Sequence, residues 1–99
     1  MAFGTGNHAT TELMLREMLP LDLNGREVLD MGCGTAVLAI LAARKGACRV
    51  VAIDIDEWAC RNAVDNCRMN NTTAVQVIHG GAEQLASCGT FDYVFANIN

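Results

Sequence analysis

The run Val28-Leu29-Asp30-Met31-Gly32-Cys33-Gly34-Thr35 holds the residues of this chain best suited to chemistry. An apolar strand, an acid and a G-x-G that opens a helix form a nucleotide-loop arrangement, because glycines turn tightly and let backbone approach a ligand closely. A dinucleotide fingerprint wants a further glycine at position 37, where this chain has Val37. An acid at Asp30 would also repel a pyrophosphate. The same acid favours a cationic ligand. S-adenosylmethionine carries a sulfonium and an α-ammonium and no phosphate, so Asp30-x-Gly32-x-Gly34 favours the methyl donor over a dinucleotide.

Three further positions fit that ligand. Asp54 closes a second apolar strand 20 residues beyond Gly34, the offset at which an acid accepts hydrogen bonds from ribose hydroxyls. Asp56 is expected to cap the helix that follows. Ala82 and Glu83, in Gly80-Gly81-Ala82-Glu83, come after a third strand, where an adenine edge is expected. Asn97 follows a fourth strand, and its amide can orient an amine nucleophile. His8 and His79 are lone histidines without a metal partner, His79 being expected to be structural, and Trp58 is expected to pack.

The elements that must position these residues alternate. A Gly-rich loop over 1–8 precedes a helix from about Ala9 to Leu19, stopped by Pro20. Strands are expected at Glu27–Met31, Arg49–Asp54, Ala74–His79 and Phe91–Ala96. Helices are expected over Ala36–Lys45, with Gly46 as left-handed cap, and over Glu57–Met69, with Cys60, Ala63, Val64 and Cys67 as inner stripe. A short helical turn falls near Glu83–Ala86. This is an α/β pattern, a parallel sheet with helices on both faces. Ligands of such sheets bind at the carboxyl ends of the strands, at the switch in strand order.

Composition sets the bounds. The chain has 99 residues, 52% of them hydrophobic, and a net charge of −4 from 7 basic and 11 acidic side chains. That describes one small ordered domain. No basic cluster offers a footprint for nucleic acid or an anionic membrane, and no apolar run approaches the ~20 residues of a bilayer span. Cys33, Cys48, Cys60, Cys67 and Cys88 form no C-x-x-C pair. They are expected to be buried or half-buried thiols of a reducing, cytoplasmic setting, with no metal site.

Phe3-Gly4-Thr5-Gly6-x-His8-x-Thr10-Thr11, then Val28-Leu29-Asp30-x-Gly32-Cys33-Gly34, then Ile53-Asp54-Ile55-Asp56, then Ala96-Asn97-Ile98 together resemble the PrmA family, methyltransferases of a large-subunit ribosomal protein. The resemblance runs nearly end to end, and the first segment is its most specific part. It implies a Rossmann-like class I methyltransferase fold, a three-layer parallel sheet cut after the fourth strand. It also implies S-adenosylmethionine as donor and lysine or amino-terminal amines of a ribosomal protein as acceptor. Phe3, Thr5 and Gly6 would close over the donor, Asp30, Gly32 and Gly34 would hold its methionine part, and Asp54 its ribose. Asn97 would face the acceptor amine. Residues 1–99 would then be the donor-binding part of a longer enzyme, inactive alone, with self-association through the exposed fourth strand. The family usually has glycine where this chain has Ala36, and T-H-P-T-T where this chain has Asn7-His8-Ala9-Thr10-Thr11. The competing readings are another protein- or small-molecule-directed methyltransferase and a non-catalytic donor-binding module. A nicotinamide dehydrogenase is disfavoured by Asp30 and Val37.

Overall fold

The computed structural model describes residues 8–96, with side chains from position 12 onward. Its elements are α1 (His8–Met18), β1 (Glu27–Met31), α2 (Val37–Arg44), β2 (Arg49–Asp54) and α3 (Glu57–Met69), then β3 (Val75–His79), a 3-10 helix (Ala82–Ser87) and β4 (Tyr93–Ala96). The strands β1 and β2 and the helix α3 have the bounds their sequence implies. The ends of the others move by one or two residues, the usual scatter of frayed termini. The cap of α3 forms as expected, with Asp56 Oδ1 accepting from the Trp58 amide at 2.9 Å. Gly46 ends α2 at φ +92, and a Cβ there would come within 2.6 Å of Asn24 Oδ1.

The strands form one parallel sheet in the order β3-β2-β1-β4. From β1 to β3 the chain moves in one direction, and α2 and α3 cross over the same face. It then returns to the far side of β1. A right-handed connection running that way must cross the opposite face, and the 3-10 helix lies there. Alternation along the strands divides the core accordingly. Val28, Val50 and Ala52 pack against Met18 of α1, Leu38, Ala39 and Ala42 of α2, and Ala63 and Cys67 of α3. Leu29, Val51 and Ile53 face the other way, against Ile78, Leu85, Cys88 and Phe91. Among the described residues the third layer is therefore a 3-10 helix and one aromatic ring.

Several side chains depart from their expected places. Val64 is 41% exposed and stands outside the α3 stripe, in the open groove between α3 and β3. It lies one position, about 100° of rotation, past buried Ala63. Trp58 is 70% exposed, on the outer side of the first turn of α3, whose buried residue is Cys60. Its ring instead carries the Arg61 guanidinium at 5.8 Å. Cys48 sits exposed in the turn before β2, while Cys33, Cys60 and Cys67 are buried as expected.

The amino ends of the strands are clasped. The Glu27 amide donates to Asp92 Oδ2 at 2.8 Å, and the Asp92 amide donates to the Glu27 carbonyl at 2.8 Å. Arg49 pairs with Glu27 at 3.1 Å, donates to the Cys88 carbonyl and lies 4.5 Å from the centre of the Phe91 ring. A half-buried cation with several partners contributes more than an open surface pair. Arg49→Met is expected to lower stability by roughly 1–2 kcal/mol, read as a lower urea midpoint with an unchanged slope.

Candidate functional site

The loop after β1 is held on the end of β2. The Gly32 and Cys33 amides both donate to the Ile53 carbonyl, at 2.7 and 3.0 Å. The Gly34 amide donates to Asp54 Oδ2 at 2.9 Å. From the other side, Asn66 of α3 reaches the Thr35 carbonyl through Nδ2 at 2.9 Å. Gly32, Gly34 and Ala36 adopt φ of +77, +53 and +67, a left-handed residue at every second position. That alternation winds the chain tightly from strand into helix and explains the glycines. Ala36 keeps its Cβ fully buried. Its left-handed backbone costs roughly 1 kcal/mol, and burying the methyl returns about as much. The structure thus shows why alanine is accepted at this position.

Asp30 lies under this loop, between Ala52 and Phe95 in the register of the sheet. It is completely buried, and neither carboxylate oxygen has a hydrogen-bond partner among the described residues. Burial is the main cause that pushes its pKa up to about 7. The amide of Ala39, in the first turn of α2, opposes this, and the negative Asp54 reinforces it. α2 has no acid in its first turn and no side-chain cap at Ala36, so its positive end also faces Asp30. A buried carboxylate without donors is costly. The arrangement fits a ligand that brings N–H donors and positive charge.

Asp54 is 3% exposed, and both its oxygens hold backbone. Oδ2 accepts from Gly34, and Oδ1 accepts from the Asp56 amide at 2.9 Å. Each carboxylate oxygen has a second lone pair, so acceptor capacity remains. The sequence reading took Asp54 only as a ligand contact and missed that it ties the two loops together. It also passed over Ile55, which follows Asp54 and is 78% exposed, an apolar side chain at the ligand edge of the sheet. Its signal was an isolated apolar residue between two acids. Asn66 left no signal, because nothing in a helix pattern tells which amide faces a loop.

Ala82 and Glu83 begin the 3-10 helix just beyond β3, on the same edge of the sheet as the β1 loop, and both are exposed. The Glu83 carboxylate turns back to accept from the Gly81 amide at 3.0 Å, and its own backbone N–H first, then that of Gly81, lowers its pKa. Asp30, Gly32, Gly34 and Asp54 are thus gathered at the carboxyl ends of β1 and β2, with Ala82 and Glu83 next along that edge. Phe3, Thr5, Gly6 and Asn97 lie outside the described residues. Burial first, then nearby Asp30 and Asp54, push the Cys33 thiol far up. It is a packing residue, not a nucleophile. No group of three or more metal-ligating side chains occurs among the described residues, and no helix among them is long and apolar enough to cross a membrane.

A parallel sheet with its order reversing beside β1, and an acid and a glycine loop at that point, defines a Rossmann-like fold of the methyltransferase class. The description "Ribosomal protein L11 methyltransferase (PrmA)" matches residues 1–99, and the chain belongs to that family. It is 52% identical over 99 residues to the protein so named from Bacteroides fragilis, covering 100% of this chain and 35% of the relative. It is 54% identical to the one from Porphyromonas gingivalis, covering 100% of this chain and 34% of the relative. The chain therefore spans about a third of the length of these relatives. A crystal structure of a ribosomal protein L11 methylase from Lactobacillus delbrueckii subsp. bulgaricus superposes with a TM-score of 0.82 at 32% identity, over 94% of this chain and 48% of that one.

Because Asp30 titrates near 7 in the fold and at 3.8 as an ordinary carboxyl, the folded state holds more protons than the unfolded state between those values. Stability must then fall as pH rises from about 4 to about 7 and level off above. Asp30→Asn is expected to flatten that slope and to be more stable than the parent at pH 8, by up to a few kcal/mol at ~1.4 per pH unit of midpoint difference. Urea unfolding of both chains at pH 5 and pH 8 reads the effect. A steeper slope in the variant would contradict it.

Proposed function

We propose that this chain is the donor-binding part of a S-adenosylmethionine-dependent methyltransferase, whose whole-protein activity is methylation of amino groups of a large-subunit ribosomal protein. The observation that carries the donor reading is Asp30. A fully buried carboxylate without a hydrogen-bond partner among the described residues, set beneath a left-handed glycine loop, calls for a cationic ligand. A pyrophosphate in that position would meet an uncompensated negative charge. Membership of the PrmA family supports both the donor and the acceptor class.

In this reading the donor's sulfonium supplies an already activated methyl carbon, and the protein's part is alignment and exclusion of water. Asp30 balances the donor's positive charge. The backbone of Gly32 and Gly34 offers a surface without side chains for the methionine part. Asp54 accepts from the ribose hydroxyls with the lone pairs its two backbone partners leave free. Ile55 gives the base an apolar neighbour, and the backbone at Ala82 and Glu83 offers its edge a polar one. Phe3, Thr5 and Gly6 close over the donor. Asn97 orients the neutral amine of the acceptor, which the site favours over the ammonium by desolvation. The setting is cytoplasmic, in keeping with a ribosomal substrate and with five free cysteines.

Calorimetric titration with S-adenosylmethionine is expected to show binding that Asp54→Ala weakens by at least tenfold, and no binding of NAD. A folded chain that binds NAD and not the methyl donor would overturn the reading. We also infer that the chain self-associates through β4, the last strand in the sheet order, whose Val94 is 57% exposed. An open strand edge templates pairing. Light scattering is expected to show a dimer at high concentration and a monomer for Val94→Lys; a parent chain monomeric at every concentration contradicts this.

A further inference from the structure

The turn from β2 into α3 presents Asp54, Ile55 and Asp56 to the ligand edge, and little packing holds it. Ile55 is 78% exposed and Trp58 70% exposed, so the turn has no apolar anchor between the end of β2 and the buried Cys60. Polar links hold it instead. The Asp54 carbonyl accepts from the Gly80 amide at 2.9 Å. Asp54 Oδ1 accepts from the Asp56 amide at 2.9 Å, and Asp56 Oδ1 from the Trp58 amide at 2.9 Å. The carbonyl of Ile55 is held by a side chain: His79 Nε2 lies 3.0 Å from it. A carbonyl only accepts, so this ring nitrogen carries the proton and donates.

His79 is placed for this by the sheet. It is the last residue of β3 and stands opposite Asp54 in the parallel register. Its neighbour Gly80 already grips the Asp54 carbonyl, so His79 and Gly80 clamp two successive carbonyls of the turn. The ring is exposed and stands at the groove between α3 and β3, where Glu57 and Arg61 pair with each other at 3.4 Å. Nothing in the core depends on it.

We infer that His79 is a positioning residue for the nucleoside half of the methyl donor: by donating to the Ile55 carbonyl it fixes the turn that carries Asp54, Ile55 and Asp56. The role rests on the donor-binding reading above. It is reached through the turn, since His79 itself sits behind Ile55 and not on the loop after β1. Loss of one exposed hydrogen bond sets the scale, a three- to tenfold effect on affinity. Glutamine can bring an N–H to nearly the same place, whereas alanine cannot.

The test compares the parent chain with His79→Ala and His79→Gln by two measurements. Calorimetry with S-adenosylmethionine is expected to show three- to tenfold weaker binding for His79→Ala and affinity within twofold of the parent for His79→Gln. Hydrogen exchange at the Asp56 amide is expected to be several-fold faster in His79→Ala and restored in His79→Gln, with core amides such as those of β1 unchanged. Equal affinity and equal exchange in His79→Ala would overturn the role. So would a glutamine variant as weak as the alanine one, which would mean that the ring's packing matters and not its donor. A parent chain that binds no methyl donor would overturn the donor reading, and the nucleoside part of this inference with it; unchanged exchange in a chain that does bind would overturn the His79 role alone.

Discussion

The junction between the loop after β1 and the end of β2 governs the arrangement of the site. One carbonyl, that of Ile53, takes the amides of both Gly32 and Cys33, and one carboxylate, that of Asp54, takes the amides of Gly34 and Asp56. These bonds hold a run of alternating left-handed residues that would otherwise have little reason to stay in one conformation. The start of α2 follows from them, and so does the cover over Asp30. The same carboxylate that fits a ribose is therefore part of the backbone framework. Binding and folding share Asp54, and a substitution there acts on both.

Asp30 carries the opposite relation. Asp54 is satisfied by the fold, whereas the Asp30 carboxylate is buried and forms no hydrogen bond among the described residues, the nearby Ala39 amide easing its charge without offsetting the burial. A sequence selected for stability alone would place a neutral residue between Ala52 and Phe95. Keeping an acid there makes the free chain less stable in the neutral range and makes a cationic ligand the natural complement of the site. Affinity for the ligand then includes the relief of a cost already present in the fold. Such conflicts between local stability and pattern are expected at functional positions.

Much of this was legible in the sequence because two periodicities and a few punctuating residues determine it. The bounds of β1, β2 and α3 follow from apolar runs flanked by Asn24-Gly25, Gly46 and Asp56. Asp30, Gly32, Gly34 and Asp54 could be chosen in advance because acid and glycine at strand ends have few other uses. Side-chain exposure was harder to read. Trp58 and Val64 look like core residues in a linear pattern, yet Trp58 stands in solvent on the first turn of α3 and Val64 lines the open groove beside β3. The contacts of Asn66 with Thr35 and of His79 with Ile55 join residues 31 and 24 positions apart. A single sequence holds no record of such pairs. The short helical turn expected near Glu83–Ala86 forms as a 3-10 helix over Ala82–Ser87, but its packing with Phe91 over the Leu29, Val51 and Ile53 face was not legible, because that contact joins distant positions.

The most direct measurement of the central claim is a map of backbone amide shifts in the labelled chain on addition of S-adenosylhomocysteine, which retains the ammonium, ribose and adenine of the donor. The account predicts the largest changes along Gly32–Ala36, at Ile55 and Asp56, and at Ala82 and Glu83, with α1 and the amino ends of the strands undisturbed. Changes confined to the groove between α3 and β3, or none in a chain whose spectrum shows it folded, would contradict it.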